Sequence, residues 1–181
     1  MSQVGLDPAK LVFIDETWAK TNMTRLRGRA LRGERLVAKV PHGHWKTTTL
    51  IAALGQKGMR CSMTVDGPVN RDVFEAFVQR ILMPTLSAGD VVVMDNLSSH
   101  KGVRVKELIE SVGATVLYLP PYSPDLNPIE MAFSKLKQLL RSAAHRTTAA
   151  LWSDVQRMLD KITPGDAAAY IRHCGYVLQA K

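Results

Sequence analysis

The sequence has few cysteines, no long apolar run and no glycine-rich phosphate-binding motif. Its 181 residues contain two cysteines, Cys61 and Cys174, which are far apart in the chain and have no metal-ligand spacing. A disulfide framework and a structural zinc site are therefore not expected, and a reducing cytosol is the default compartment. The aliphatic runs, such as Val91 to Met94, are far shorter than the ~20 residues that a membrane span needs. No signal-peptide pattern is visible either, so the sequence predicts no contact with a membrane.

Acidic residues are also fewer than basic residues. Lys and Arg number 24 against 16 Asp and Glu, which gives a formal net charge of +8. Much of this excess lies between residues 20 and 46, where Glu34 is the single acid and the basic residues are Lys20, Arg25, Arg27, Arg29, Arg32, Arg35, Lys39 and Lys46. A cationic band of this size suits a polyanion such as nucleic acid. The alternative is a basic loop that is simply solvated.

The pattern of apolar residues predicts a single α/β domain over residues 1–181, with a core at about 10–142 and a helical tail at about 147–181. Strands are predicted near residues 10–15, 47–54, 61–65, 91–94 and 114–119. Helices are predicted at about 70–84, 103–113 and 128–142, with two more in the tail. This order of elements favours a mixed sheet covered by helices.

Three acids occupy positions at which chemistry is expected. Asp15 and Asp95 each follow a short apolar strand, and Glu130 opens a helix after a proline-rich loop. Ligands of α/β sheets gather at the carboxyl ends of strands. Carboxylates placed there would bind hard divalent cations such as Mg²⁺, and a pair of such ions can activate the attacking oxygen and stabilise the leaving oxygen of a phosphodiester.

Each acid also has a structural interpretation. Glu16 is adjacent to Asp15 and would point to the opposite face of a strand, so only one of the two can join the site. Asp95 and Asn96 together are typical of a turn that follows a strand. Asn127 as the N-cap of the third helix would place Glu130 at the third helical position, which resembles a capping box.

The helical face that carries Glu130 favours a functional role for this residue. At about 100° per residue, Ser134, Lys137 and Arg141 fall on the same face. A carboxylate followed by two cations fits a metal site that opens onto a phosphate track, whereas capping predicts nothing about Lys137 and Arg141.

Histidine and tryptophan add weaker candidates. His100 follows Asp95 by five residues and would reach a site at the strand end, although an exposed or helix-capping histidine explains it equally well. Trp18, Trp45 and Trp152 are candidates for stacking on bases, with core packing the safer interpretation of Trp152.

Three sequence blocks resemble the catalytic blocks of DDE transposases, in particular the bacterial insertion-sequence members of the mariner-type superfamily. They are Phe13-Ile-Asp-Glu-Thr17, Val93-Met-Asp-Asn-Leu-Ser-Ser-His100 and Tyr118-Leu-Pro-Pro-Tyr-Ser-Pro-Asp-Leu-Asn-Pro-Ile-Glu130. The 34 residues between Asp95 and Glu130 match the spacing of that branch. A phosphohydrolase of the haloacid-dehalogenase kind fits poorly, because Thr17 stands where that class needs a second aspartate.

The resemblance implies a ribonuclease-H-like fold, with a mixed five-stranded sheet flanked by helices. It implies that Asp15, Asp95 and Glu130 hold two Mg²⁺ or Mn²⁺ ions, with Asn96 and His100 supporting the site. The implied reaction is cleavage of double-stranded DNA at transposon ends, followed by attack of the freed 3′-hydroxyl on target DNA, typically at TA. The expected DNA-contact residues are Arg25, Arg27, Arg29, Arg32, Arg35, Lys137 and Arg141.

The resemblance also sets expectations about partners and location. It implies a homodimer on DNA in the bacterial cytoplasm, associated with the nucleoid. The family's N-terminal helix-turn-helix region is absent from these 181 residues, since the first catalytic strand begins near residue 11. The expectation is a partner encoded in a split reading frame, or a truncated copy. A catalytically inactive fragment that binds DNA or a full-length partner is the alternative.

Overall fold

The computed structural model describes residues 6–42, 44–96 and 102–177, and a five-stranded sheet lies at its centre. The strand order is β3-β2-β1-β4-β5. β1 pairs antiparallel with β2 and parallel with β4, while β2 and β3 are antiparallel and β4 and β5 are parallel. The predicted mixed sheet is therefore confirmed. The strands are β1 (Leu11–Lys20), β2 (Thr47–Gly55), β3 (Gly58–Asp66), β4 (Val91–Met94) and β5 (Thr115–Tyr118).

Helices cover both faces of this sheet. They are α1 (Arg71–Phe77), α2 (Val103–Ser111), α3 (Ile129–Ala143), α4 (Thr148–Leu159) and α5 (Pro164–His173). α1 begins as the sequence predicts, because the Asn70 side chain accepts a hydrogen bond from Val73 N at 2.9 Å. The pattern predicts one helix from there to Pro84, but α1 passes into a π-helical turn, Val78–Leu82, and a 3₁₀ turn, Met83–Thr85. None of the described helices is both long and apolar enough to cross a membrane.

Alternating side chains of the central strands divide the core into two layers. Phe13 and Val93 face α3, α4 and α5, where they pack with Phe133 and other apolar residues of those helices. Val12, Ile14, Val92 and Met94 face the opposite way, toward α1 and α2. This period-two alternation buries both faces of β1 and β4, and it holds the ends of these two strands in a fixed position.

β1 is longer than the sequence predicts. The apolar run indicates a strand that ends near Asp15, but β1 continues to Lys20 because β2 pairs with it as far as Lys20 opposite Thr47. β4 ends at Met94, opposite Ile14, so the second half of β1 extends beyond the end of β4. Asp15 therefore lies at the end of the parallel pairing and in the middle of its own strand.

The basic segment between β1 and β2 has no helix or strand over its described residues, 21–42 and 44–46, which fits the predicted loop. Its two ends meet at Thr21, which exchanges hydrogen bonds with Lys46 through Thr21 N to Lys46 O at 3.2 Å and Lys46 N to Thr21 Oγ1 at 3.1 Å. Arg146 ties the start of the segment to the turn before α4 by donating to Met23 O at 2.9 Å. The arginines from Arg25 to Arg35 are all exposed.

Candidate active site

Asp15 and Asp95 are brought together by the register of two parallel strands. Ile14 of β1 pairs with Met94 of β4, so the next residue of each strand is an aspartate. Because neighbouring strands lie about 4.8 Å apart, this register sets the two carboxylates side by side at one edge of the sheet. Asp15 is buried and Asp95 is half-buried. Glu16 follows on the other face of β1 and does not line the cleft at this edge.

The proline-rich loop after β5 forms the wall of this cleft. Leu119 N donates to Met94 O at 2.9 Å, which directs the chain out of β5 beside the end of β4. Tyr122 in the loop has a φ of 56° and a fully exposed side chain. Left-handed backbone in a residue other than glycine is strained, and such residues cluster at functional sites.

Glu130 enters the cleft from α3. Ile129, Phe133 and Leu136 are buried under the sheet and anchor that helix, while Glu130 is exposed on the adjoining face. The resulting cleft has a volume of about 370 Å³. Its lining includes all three predicted acids and Asn96, together with the proline loop and Asn127. Three acids that are far apart in the sequence thus border one cavity.

Asn127 does not cap α3, contrary to the capping-box interpretation of Glu130. The helix begins at Ile129 after Pro128, and no side chain caps it. The Asn127 side chain is instead turned toward β1, where Nδ2 donates to Asp15 Oδ2 at 2.8 Å. Asp15 Oδ1 accepts from the backbone of Glu16 at 2.7 Å. Sequence analysis missed this contact because 112 residues separate Asn127 from Asp15 and the local pattern already explained the asparagine as a cap.

Lys137 lies on the Glu130 face of α3, close to both the acids and an exposed tryptophan. Partial burial lowers the pKa of its ammonium group, and the nearby carboxylates of Glu130 and Asp15 act in the opposite direction. Its Nζ atom lies 4.8 Å from the centre of the Trp18 ring. Lys20 Nζ approaches the same ring at 4.8 Å, and about half of the Trp18 side chain stays exposed to solvent.

The remaining tryptophans differ in their surroundings. Trp45 is about half exposed, and Lys20 Nζ lies 5.6 Å from its ring centre. Trp152 is neither a fully buried core residue nor part of the cleft, since its Nε1 donates to Thr48 Oγ1 at 3.0 Å and its side chain is 37% exposed. The candidate His100 lies outside the described residues.

A second cavity joins the basic segment to α3. It has a volume of about 580 Å³ and includes Arg25, Arg27 and Arg141 in its lining. Among the described residues, Ser134, Gln138 and Ser142 supply its other polar side chains, and none of the lining residues is acidic. We call this cavity the arginine groove. Three guanidinium groups that line one cavity suit phosphate oxygens. Arg29, Arg32 and Arg35 lie elsewhere on the exposed segment, and Lys137 lies beside Trp18.

The donor atoms of the active-site cleft suit a hard divalent cation. Asp15, Asp95 and Glu130 offer carboxylate oxygens, and the amides of Asn96 and Asn127 offer carbonyl oxygens. Oxygen-only donors are typical of Mg²⁺ and Mn²⁺ sites. Over residues 6–42, 44–96 and 102–177, no three acidic, histidine or cysteine side chains converge closely enough to hold an ion as they stand. Binding of two ions stays a prediction.

The family that matches this sequence is one of endonucleases, which agrees with a site of three acids. Residues 10–151 match the model of the DDE superfamily endonucleases, which covers most of the chain. The chain therefore belongs to this family of endonucleases. No match was found among curated proteins.

Several solved structures of Mos1 transposase share the fold. The Mos1 mariner paired-end complex with Mn has a TM-score of 0.71 at 18% identity, covering 93% of this chain and 53% of that one. The paired-end complex with left transposon end gives 0.66 at 22%, covering 92% and 51%. The Mos1 catalytic domain with Raltegravir and Mg gives 0.67 at 17%, covering 93% and 79%. These likenesses establish a ribonuclease-H-like fold, and the chain spans about half the length of the Mos1 chains in the paired-end complexes.

Proposed function

We propose that this chain is the catalytic domain of a transposase of the mariner-type superfamily, from its bacterial insertion-sequence branch. It cleaves DNA strands at transposon ends and transfers them into target DNA. The observation that carries the proposal is the cleft bordered by Asp15, Asp95 and Glu130, in a chain of the DDE superfamily endonucleases. The three arginines that line the arginine groove, Arg25, Arg27 and Arg141, support a DNA substrate.

The three acids would hold Mg²⁺ or Mn²⁺, two ions in all. Such ions, when bound, activate the attacking oxygen and stabilise the leaving oxygen of a phosphodiester. Asp15 lies on β1 and Asp95 directly follows β4, which is the parallel neighbour of β1, and α3 presents Glu130 from a separate layer. Water as the nucleophile gives strand cleavage, and a DNA 3′-hydroxyl gives strand transfer. One cleft serves both because the in-line displacement is the same.

DNA contacts follow from the charges that surround the cleft. Lys137 lies beside the acids, where its ammonium group would pair with a phosphate as the strand enters. The duplex would continue along the arginine groove and the rest of the basic segment, which adds Arg29, Arg32 and Arg35. Trp18 offers an exposed aromatic face near the cleft on which an unpaired base would stack. Asn96 borders the cleft and would support Asp95, and His100 is proposed to do so on the basis of the family resemblance.

The proposal also covers the domain organisation and the oligomeric state of the protein. Residues 1–181 form one catalytic domain, and two copies act as a homodimer so that two transposon ends can be joined. An N-terminal DNA-binding region, fused or encoded in a separate reading frame, would recognise the terminal repeats. The site of action would be the nucleoid of a bacterial cell.

Nicking of supercoiled plasmid in Mn²⁺ and in Mg²⁺ tests the proposal. Wild type is compared with Asp95→Asn and with Glu107→Gln, a control that removes an exposed carboxylate from α2 on the other side of the sheet. We expect metal-dependent nicking by wild type and Glu107→Gln and none by Asp95→Asn. Equal nicking by all three would contradict the assignment. DNA binding without nicking by wild type would identify a DNA-binding fragment instead.

A further inference from the structure

Asn127 links two of the three candidate acids, one through its side chain and one through its backbone. It is 3% exposed and donates from Nδ2 to Asp15 Oδ2 at 2.8 Å. Its backbone carbonyl accepts from Glu130 N at 3.1 Å at the start of α3. A shift of Asn127 would therefore move Asp15 through the side-chain hydrogen bond and Glu130 through the main-chain hydrogen bond.

The orientation of the Asn127 amide is set by its neighbour. An ionised carboxylate accepts hydrogen bonds and donates none, so the amide must turn its nitrogen toward Asp15. Its oxygen then faces away from that contact. Within the described part of the chain, Asn127 Oδ1 is buried and has no hydrogen-bond partner.

A buried carbonyl oxygen without a donor is costly, and native structures rarely keep one without a reason. Asn127 borders the active-site cleft. A ligand that binds in the cleft would bring hydrogen-bond donors with it. A water molecule bound to a divalent cation is a strong donor, because the cation polarises its O–H bonds. Metal ligands are commonly held in place by such neighbours.

We propose that Asn127 is a positioning residue of the metal site: Nδ2 orients the Asp15 carboxylate, and Oδ1 accepts a hydrogen bond from a water molecule bound to the cation. This inference rests on the proposed function, since it requires a cation held by Asp15, Asp95 and Glu130. It assigns to Asn127 a role in cation binding that is separate from the folding of α3.

The test measures Mn²⁺ binding by calorimetry and the melting temperature of the full chain with and without Mn²⁺. The principal variant is Asn127→Leu, which fills the same buried space and removes both polar ends of the side chain. Asn70→Ala is the matched control, because Asn70 caps α1 at the protein surface, away from the cleft. Asp95→Asn reports whether the bound Mn²⁺ lies in the cleft.

We expect Asn127→Leu to weaken Mn²⁺ binding by roughly 10- to 100-fold, the usual effect of losing a partner of a metal ligand. Its melting temperature without Mn²⁺ should fall only modestly, because the substitution removes the unpaired Oδ1 atom as well as one donor to the buried Asp15 carboxylate. The rise in melting temperature on adding Mn²⁺ should shrink, since the stabilisation by a bound ligand grows with the logarithm of its concentration relative to Kd. Asn70→Ala should instead lower the melting temperature, because it removes the cap of α1, and it should leave the Mn²⁺ affinity unchanged.

Two results would overturn the inference in distinguishable ways. If wild type binds Mn²⁺, Asp95→Asn does not, and Asn127→Leu binds as tightly as wild type, the role of Asn127 is wrong and the metal site stands. If wild type binds no Mn²⁺, or Asp95→Asn binds as well as wild type, the proposed metal site itself fails and the inference fails with it. Should Asn127→Leu not fold, Asn127→Ala is measured against the same expectations.

Discussion

Removing the three arginines of the arginine groove should change how DNA binding depends on salt. Each phosphate that a cation neutralises releases counterions, and this makes binding weaker as the salt concentration rises. Arg25, Arg27 and Arg141 line one cavity without an acid. We therefore expect the variant Arg25→Ala/Arg27→Ala/Arg141→Ala to lose three phosphate contacts together.

The size of the effect follows from that count. Each lost contact makes the slope of log K against log salt shallower by about 0.9, so three contacts make it shallower by about 2.7. Between roughly 50 and 200 mM salt, wild type should then lose about 40-fold more affinity than the triple variant loses. The measurement is fluorescence anisotropy of a labelled duplex over this range.

A control with the same net charge separates the groove from overall electrostatics. Arg104 and Lys106 lie on α2, which packs against the other face of the sheet, and Arg80 is exposed beyond α1. Arg80→Ala/Arg104→Ala/Lys106→Ala should leave the slope almost unchanged. An unaltered slope in the groove variant, or an equal loss of slope in the control, would refute the argument.

Three further predictions concern single side chains. Trp18→Ala should weaken binding of a single-stranded oligonucleotide by roughly 5- to 150-fold, the range for loss of one stacked base, and unchanged affinity would contradict base stacking. Hydrogen bonds from Lys135 and from Thr163 hold the pKa of Asp166 at about 2, below its ordinary 3.8. The ionised form is thus favoured by folding, so the melting-temperature advantage of wild type over Asp166→Asn should be full above pH 4 and fade toward pH 2; a constant difference would contradict this. Burial raises the pKa of Cys61 to about 11, so a thiol reagent at pH 8 should label it far more slowly in the native than in the unfolded protein, and equal rates would contradict the burial.

The sequence predicts the sheet and its helices well because their signals are local. The apolar run of β4 and the N-cap at Asn70 each identify an element from a few neighbouring residues. The length of β1 could not be read in this way. Residues 16–20, Glu-Thr-Trp-Ala-Lys, continue neither the apolar run nor a polar–apolar alternation. They form a strand because β2 pairs with them, which is a contact between distant parts of the chain.

The candidate site likewise has features that the local sequence predicts and features that depend on contacts between distant residues. The positions of Asp15 and Asp95 after apolar runs predict that they meet, because parallel strands bring their carboxyl ends to one edge. The contact of Asn127 with Asp15 depends on how α3 docks, and nothing in the Asn-Pro-Ile-Glu run distinguishes it from a helix cap. The arginine groove depends likewise on the path of a segment without regular structure, which its basic composition alone does not determine.

If the carboxylates that border the cleft carry the reaction, the adjacent residues Asp15 and Glu16 should respond differently to substitution. Asp15 borders the cleft, whereas Glu16 follows it on the opposite face of β1. The measurement is the rate of plasmid nicking in Mn²⁺ by Asp15→Asn and by Glu16→Gln. We expect nicking to fall to the metal-free background in Asp15→Asn and to stay near the wild-type rate in Glu16→Gln. Loss of nicking in Glu16→Gln with activity retained in Asp15→Asn would contradict it.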